Sequence, residues 1–194
     1  ELGGLDNLTS GLNVYGLDEV KNFDDAKKAM LYKKSKIQSL RLHWTEMDEQ
    51  KAGYMLKEIV WKDDEINYGA MVGDNERNDK AVLEGLQPHV NIKELLIQNF
   101  KGKDFATWIT MLRNLVVIEL VECNGCEQFP VLGHLPLLEF VKIDGMSNVK
   151  CIGMEFYGIH NCINSNAACG DNSTITGVAF PALRRLHLWN MSKL

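Results

Sequence analysis

Apolar residues recur along this chain at two superimposed spacings. Over five or six residues they alternate with polar ones, and the alternating runs then return after twenty-odd residues. Leu115-Val-Val-Ile118-Glu-Leu120-Val-Glu-Cys123 has the form L-x-x-L-x-L-x-x-C, and Leu138-Glu-Phe-Val141-Lys-Ile143 restarts it 23 residues later. A period of two marks a half-buried strand. The same unit appears around Leu12 and Val14, in Ile37-Gln-Ser-Leu40-Arg-Leu42-His-Trp44, in Ile92-Lys-Glu-Leu95-Leu-Ile97 and in Leu186-His-Leu188-Trp189. Between the strands the pattern changes. Asp24 and Asp25 stand before Ala26, Ala29, Met30 and Lys33, which predicts a helix over 24–34 with an acidic cap and those four on one face. Asp79 to Pro88 predicts a short helix capped by Asp79, weakened at its end by Gly85 and stopped by Pro88. Asp104 to Leu112 reads as a return segment. Phe129 to Pro136, with two prolines, reads as a turn or short 3₁₀ return.

This is the strand unit of a leucine-rich repeat. The inward anchors are Leu12, Leu40, Leu95, Ile118, Val141 and Leu186, at spacings of 28, 55, 23, 23 and 45. Two of these spacings leave room for insertions. The first, near 46–80, is rich in Asp and Glu and carries an apolar inner piece, Tyr54 to Trp61. The second, near 158–178, is rich in Asn, Ser, Gly, Thr and Ala, the composition of a mobile loop. The expected architecture is α/β: one leucine-rich repeat solenoid over 1–194, about six irregular repeats, with a parallel β-sheet on its concave face and two loop insertions.

If the anchors point inward, their neighbours point to the concave side. These are Ser39, Arg41 and His43; Glu94, Leu96 and Gln98; Val117, Glu119 and Val121; Phe140, Lys142 and Asp144; and Arg185, His187 and Trp189. Two glutamates, three bases and exposed apolar side chains resemble a protein-binding surface more than a phosphate-binding one. Such a surface serves either a ligand or a neighbouring domain.

Composition narrows the partner class. A charge of −5 gives no global pull toward nucleic acid or anionic membrane. No apolar run reaches the length of a membrane span. The start lacks the features of a signal peptide, and the end at Leu194 falls in mid-repeat, as expected of a piece of a longer protein. Five unevenly spaced cysteines do not suggest a secreted disulfide framework and favour a reducing compartment. Sequons at Asn7, Asn172 and Asn190 carry little weight among so many asparagines.

Cys123-Asn-Gly-Cys126 has half the ligands of a zinc site that Cys151, His134 or His160 could complete. No second C-x-x-C exists, and Cys123 occupies the position that ends the repeat strand, so a thiol packed into the turn is the expected reading. His43 and His187 are expected as surface contacts. The sequence holds no P-loop, G-x-G-x-x-G or G-x-S-x-G motif, and Asp63-Asp64-Glu65 lacks calcium-loop spacing. No catalytic residue, metal ligand or cofactor site is assigned.

Longer segments resemble the N-terminal half of the leucine-rich repeat domain of plant coiled-coil-type NLR disease resistance proteins. The resemblance rests on Leu12-Asn-Val-Tyr-Gly-Leu17-Asp-Glu-Val20 before the Asp25–Ala29 stretch, on Ile37 to Trp44, and on Val82-Leu-Glu-Gly-Leu-Gln-Pro-His89. It continues through Cys126-Glu-Gln-Phe-Pro130-Val-Leu-Gly-His-Leu-Pro136, Gly145 to Gly158 and Phe180-Pro181-Ala-Leu183. It implies a cytoplasmic immune receptor, with the nucleus or the inner face of the plasma membrane as variants. This segment would bind a pathogen effector or a host guardee protein. It would also fold back on a nucleotide-binding switch, where the parent's ADP or ATP would sit. The rival reading is a generic protein-binding repeat module, such as an F-box substrate reader or a receptor ectodomain. The regular extracellular repeat carries an asparagine ladder, whereas the ladder positions here are Phe100, Cys123, Met146 and Met191.

Overall fold

The computed structural model describes residues 2–45, 78–158 and 178–194. Most of the acidic 46–80 insertion, including Tyr54 to Trp61, lies outside the described residues, as does nearly all of the 158–178 loop with His160, Cys162, Cys169 and Asn172.

Six short strands form one parallel sheet in chain order: β1 (Ser10–Val14), β2 (Ile37–His43), β3 (Glu94–Gln98), β4 (Val117–Val121), β5 (Phe140–Asp144) and β6 (Arg185–Trp189). Each pairs with its sequence neighbours, the arrangement of a leucine-rich repeat solenoid. The six anchors lie side by side in a single row, Leu12, Leu40, Leu95, Ile118, Val141 and Leu186. The four from Leu40 to Val141 are no more than 1% exposed. Each buried Leu or Ile of this kind contributes roughly 1.5–3 kcal/mol over its exposed state. A one-residue slip would turn this row to water, so the anchors hold the register.

Five of the six strands end alike, β2 being the exception. Gly16, Asn99, Glu122, Gly145 and Asn190 all take left-handed backbone, with φ between 51° and 77°, at the register position just past the sheet. A left-handed residue swings the chain off the sheet. Its N–H still extends the ladder, as from Glu122 to the Asp144 carbonyl at 2.7 Å. Beyond this turn, side chains tie the repeats together. Asn124 Oδ1 accepts from the N–H and hydroxyl of Ser147 at 3.1 and 2.8 Å, and the Asn124 carbonyl accepts from Asn148 Nδ2 at 2.7 Å. Ahead of the strands, Asn91 donates to the Ser35 carbonyl and Asn114 to the Val90 carbonyl, each at 3.0 Å. Polar rungs therefore exist, displaced from the strand-ending position.

The two helices depart from the sequence expectation. The helix expected over 24–34 is only α1 (Phe23–Lys27), followed by a 3₁₀ turn at Leu31–Lys33. Its cap is Asn22, whose Oδ1 accepts from the Asp25 N–H at 3.0 Å, rather than Asp24 or Asp25. Met30 turns left-handed at φ 49°, which delivers Leu31 to the core. The expected face therefore breaks: Ala26 is buried while Met30 and Lys33 are exposed.

The second helix, α2 (Asp79–Gly85), is capped by Asn78, which accepts from the Ala81 N–H at 3.3 Å. Asp79 is instead buried inside the first turn and accepts from the Lys101 N–H at 3.2 Å. Gly85 does more than end the helix. A Cβ there would lie 2.5 Å from the Phe23 carbonyl oxygen and 2.8 Å from the Ala26 Cβ, so its lack of a side chain lets α2 press onto α1. The 3₁₀ turn Thr107–Met111 fills the next repeat and sends Trp108 Nε1–H to the Leu83 carbonyl at 2.9 Å.

Candidate functional site: the concave face of the sheet

The fifteen concave positions fall into three rows across the sheet. Ser39, Glu94, Val117, Phe140 and Arg185 form the first. Arg41, Leu96, Glu119, Lys142 and His187 form the second, and His43, Gln98, Val121, Asp144 and Trp189 the third. Strand β1 extends the first two rows with Gly11 and Asn13. Tyr15, just beyond it, stacks on His43 with ring centroids 4.3 Å apart. Asn13 and Tyr15 were not assigned to this face from the sequence. The inward alternation of Leu12 and Val14 was the signal that could have found them.

Three of the fifteen are not accessible in the way their register suggests. His43, expected as a surface contact, is 2% exposed. Tyr15 covers one ring face, and Nδ1–H donates to Gln98 Oε1 at 2.8 Å. Phe140 is buried at 3%, with the Arg185 guanidinium 4.9 Å above its ring and His187 edge-on at 5.3 Å. Val121 is buried at 5%. These side chains point to the concave face, but neighbouring strands place Tyr15 over His43 and Arg185 over Phe140.

The two ends of the face differ. At the β1–β3 end, Tyr15, His43 and Gln98 satisfy one another. At the β5–β6 end the rings continue outward from Phe140 to His187 and then to Trp189, with His187 and Trp189 centroids 5.1 Å apart. Lys142 Nζ lies 5.3 Å over the Trp189 ring. Asn190 Nδ2 donates to Asp144 Oδ1 at 2.7 Å at the rim.

Burial holds the His43 imidazole below its ordinary pKa, the Gln98 hydrogen bond opposes this, and the Arg41 charge adds to the lowering. Its Nε2 is buried with no hydrogen-bond partner among the described residues, so a proton there would meet no acceptor. Protonation therefore favours the unfolded chain. The His43 contribution to stability is complete above the ordinary pKa of 6.5 and declines as pH falls below it. Urea midpoints measured from pH 7.5 to 5 should fall more steeply for the wild type than for His43→Gln, and parallel curves would contradict this.

The C-x-x-C belongs to the packing behind the sheet. Cys123 and Cys126 are fully buried. Cys123 Sγ donates to the Ile97 carbonyl at 3.5 Å, and Cys126 Sγ to the Gly102 carbonyl at 3.2 Å. Burial pushes the Cys123 thiol up to about 12 and the Cys126 thiol higher still, so both remain protonated. Among the described residues, no cluster of three His, Cys, Asp or Glu is placed to hold a metal. Brief alkylation of native protein should label the exposed Cys151 and spare Cys123 and Cys126 until urea unfolds the chain. Equal labelling of all three in native buffer would disprove the burial.

Comparison with known proteins adds the following. A family model described as R13L1/DRL21 LRRs matches residues 1–146. The chain is 32% identical over 165 residues to the putative disease resistance RPP13-like protein 1 of Arabidopsis thaliana, covering 81% of this chain and 14% of that protein. It is 28% identical over 197 residues to the disease resistance protein RGA2 of Solanum bulbocastanum, covering all of this chain and 17% of that protein. With the putative disease resistance protein RGA1 of the same species, identity is 30% over 199 residues, covering all of this chain and 16% of that protein. The chain thus spans about one-sixth or less of the length of these relatives. No solved structure matches. Among the described residues, no helix is long and apolar enough to cross a membrane.

Proposed function

The chain belongs to the R13L1/DRL21 leucine-rich repeat family found in plant disease resistance proteins, and on that premise we propose that it is the recognition and autoinhibition segment of a cytoplasmic immune receptor. Its concave face binds a pathogen effector or a host guardee protein. It also contacts the parent protein's nucleotide-binding switch, which cycles between ADP and ATP in a separate module. The work of this segment is binding, and no chemical step is assigned to it.

One observation carries the reading. A rigid parallel sheet holds three rows of mixed acidic, basic and aromatic side chains in fixed register, the make-up of a protein-binding face. A ligand shifts such a receptor only through unequal affinity for its resting and released states. Losing one contact of about 1.4 kcal/mol moves that equilibrium roughly tenfold.

The test is charge reversal in the full-length receptor expressed in leaf tissue. Lys142→Glu or Arg185→Glu should cause cell death without a pathogen, or abolish the response to the cognate effector, at wild-type protein levels. Unchanged behaviour with and without ligand, across substitutions at all fifteen concave positions, would refute the assignment.

A further inference from the structure

We propose that the edge of the solenoid where the chain enters β3, β4 and β5 docks an acidic amphipathic helix of a partner protein. This surface lies outside the concave face and adds a second interface to the reading above.

Three exposed apolar side chains stand in three consecutive entry loops. Val90 is 52% exposed, Met111 58% and Leu137 49%. Bonds between repeats hold these loops side by side. Asn114 Nδ2 donates to the Val90 carbonyl, and His134 Nε2–H donates to the carbonyl of Thr110, beside Met111, at 2.8 Å. The loops before β2 and β6 flank the row. The Lys93 N–H donates to the Gln38 carbonyl on one side, and the Arg184 N–H to the Glu139 carbonyl on the other. Neither end of the chain therefore sets the exposure.

Leu137 also breaks a pattern. Asn91 and Asn114 occupy its register position in the two preceding repeats, and each donates to a carbonyl of the repeat before. Leucine cannot form that rung. It gives up a bond between repeats and leaves an apolar side chain in water, so the fold of this chain gives no reason for it. An apolar partner surface does.

Charge selects the partner. Residues 85–93, 105–118 and 128–138, which lead toward these strands, contain no Asp or Glu, although the whole chain carries −5. Lys93 and Arg113 are exposed there, and among the described residues neither has a carboxylate within 4.0 Å. Glu139, next to β5, is already paired with Arg184 at 3.6 Å. Unpaired cations beside apolar side chains suit a surface that brings carboxylates and apolar groups together. A basic partner would be repelled.

Spacing selects a helix. Neighbouring strands lie about 4.8 Å apart, so three loops span about 9.6 Å. Two turns of α-helix rise about 10.8 Å, whereas three like-facing residues of an extended chain span about 13 Å. One turn per repeat lets side chains at i, i+4 and i+7 meet Val90, Met111 and Leu137 in order. A membrane is the weaker match, because two unpaired cations contribute only about fivefold each toward anionic lipid.

The experiment is selection of a displayed library of helix-forming peptides against the full chain, with wild type, Arg113→Glu and Lys103→Glu as parallel baits. Lys103 is exposed on the strand-exit side of β3, outside both the entry edge and the concave face. The wild-type pool should enrich Leu, Met or Phe at i, i+4 and i+7, flanked by Asp or Glu. Enriched peptides should bind about tenfold more weakly to Arg113→Glu and to Lys93→Glu. Met111→Ser and Leu137→Asn should weaken them similarly, while Lys103→Glu leaves them unchanged. Leu137→Asn can restore the rung, so its urea midpoint should equal or exceed that of the wild type and exclude unfolding as the cause. No enrichment, a pool without acids or without helical spacing, or equal loss on Lys103→Glu would overturn the proposal. So would binding to phosphatidylserine vesicles that Arg113→Glu abolishes, which would make the partner a lipid surface. A concentration-dependent mass that Leu137→Asn abolishes would make it a second copy of this chain and overturn the proposal equally.

Discussion

Replacing Gly125 with alanine should cost about 3 kcal/mol, the upper part of the usual range for overpacking. Gly125 sits inside the C-x-x-C, where the turn of one repeat lies on the turn of the repeat before it. A Cβ at that point would be 2.0 Å from the Lys101 carbonyl oxygen and 2.9 Å from the Gly102 carbonyl oxygen. Both obstacles are backbone, so no rotamer change relieves them. Opening the gap would also stretch the Cys126 Sγ contact to Gly102, because the same carbonyl serves both. Gly4→Ala is the control, since nothing lies within 4 Å of a Cβ there and the substitution only stiffens the unfolded chain. Urea unfolding should show a large midpoint drop for Gly125→Ala and none for Gly4→Ala. Two midpoints within error of the wild type would mean that the turns are not in contact.

A second large effect is expected at Trp108, where truncation to alanine should cost about 3–5 kcal/mol. The indole is 2% exposed, and its Nε1–H donates to the Leu83 carbonyl near the C-terminal end of α2. That bond ties one repeat's helix to the next repeat's 3₁₀ turn. Trp108→Phe keeps much of the ring volume and leaves the Leu83 carbonyl without the indole donor, so its cost should be nearer 1–2 kcal/mol. The difference between the two variants separates volume from hydrogen bonding. If phenylalanine proved as damaging as alanine, the indole donor rather than the packing would be the main contribution.

Periodicity carried the architecture because a repeat solenoid is local twice over. Each strand is marked by its own alternation, and each lies beside the strand one repeat away. Leu95, Ile118 and Val141 share one spacing, and the structure places them in one row. The same alternation assigned all fifteen concave positions to their rows, although Asn13 and Tyr15 were left out. The helix caps were harder to read. Asn22, Asp24 and Asp25 are all residue types that cap helices, and only the path of the chain into α1 selects Asn22. Nothing in the composition around Met30 marks its left-handed turn, which cuts α1 short.

The sequence by itself determined which residues turn inward and which outward, the parallel order of the repeats and the family to which they belong. Alternation and spacing are properties of neighbouring residues, and a one-residue slip would expose the core. Only the tertiary structure decided how deep each concave residue sits. His43 is buried by Tyr15, 28 residues away, and Phe140 lies beneath Arg185, 45 residues away. Burial depends on what the next strand places overhead, and nothing within the strand records that.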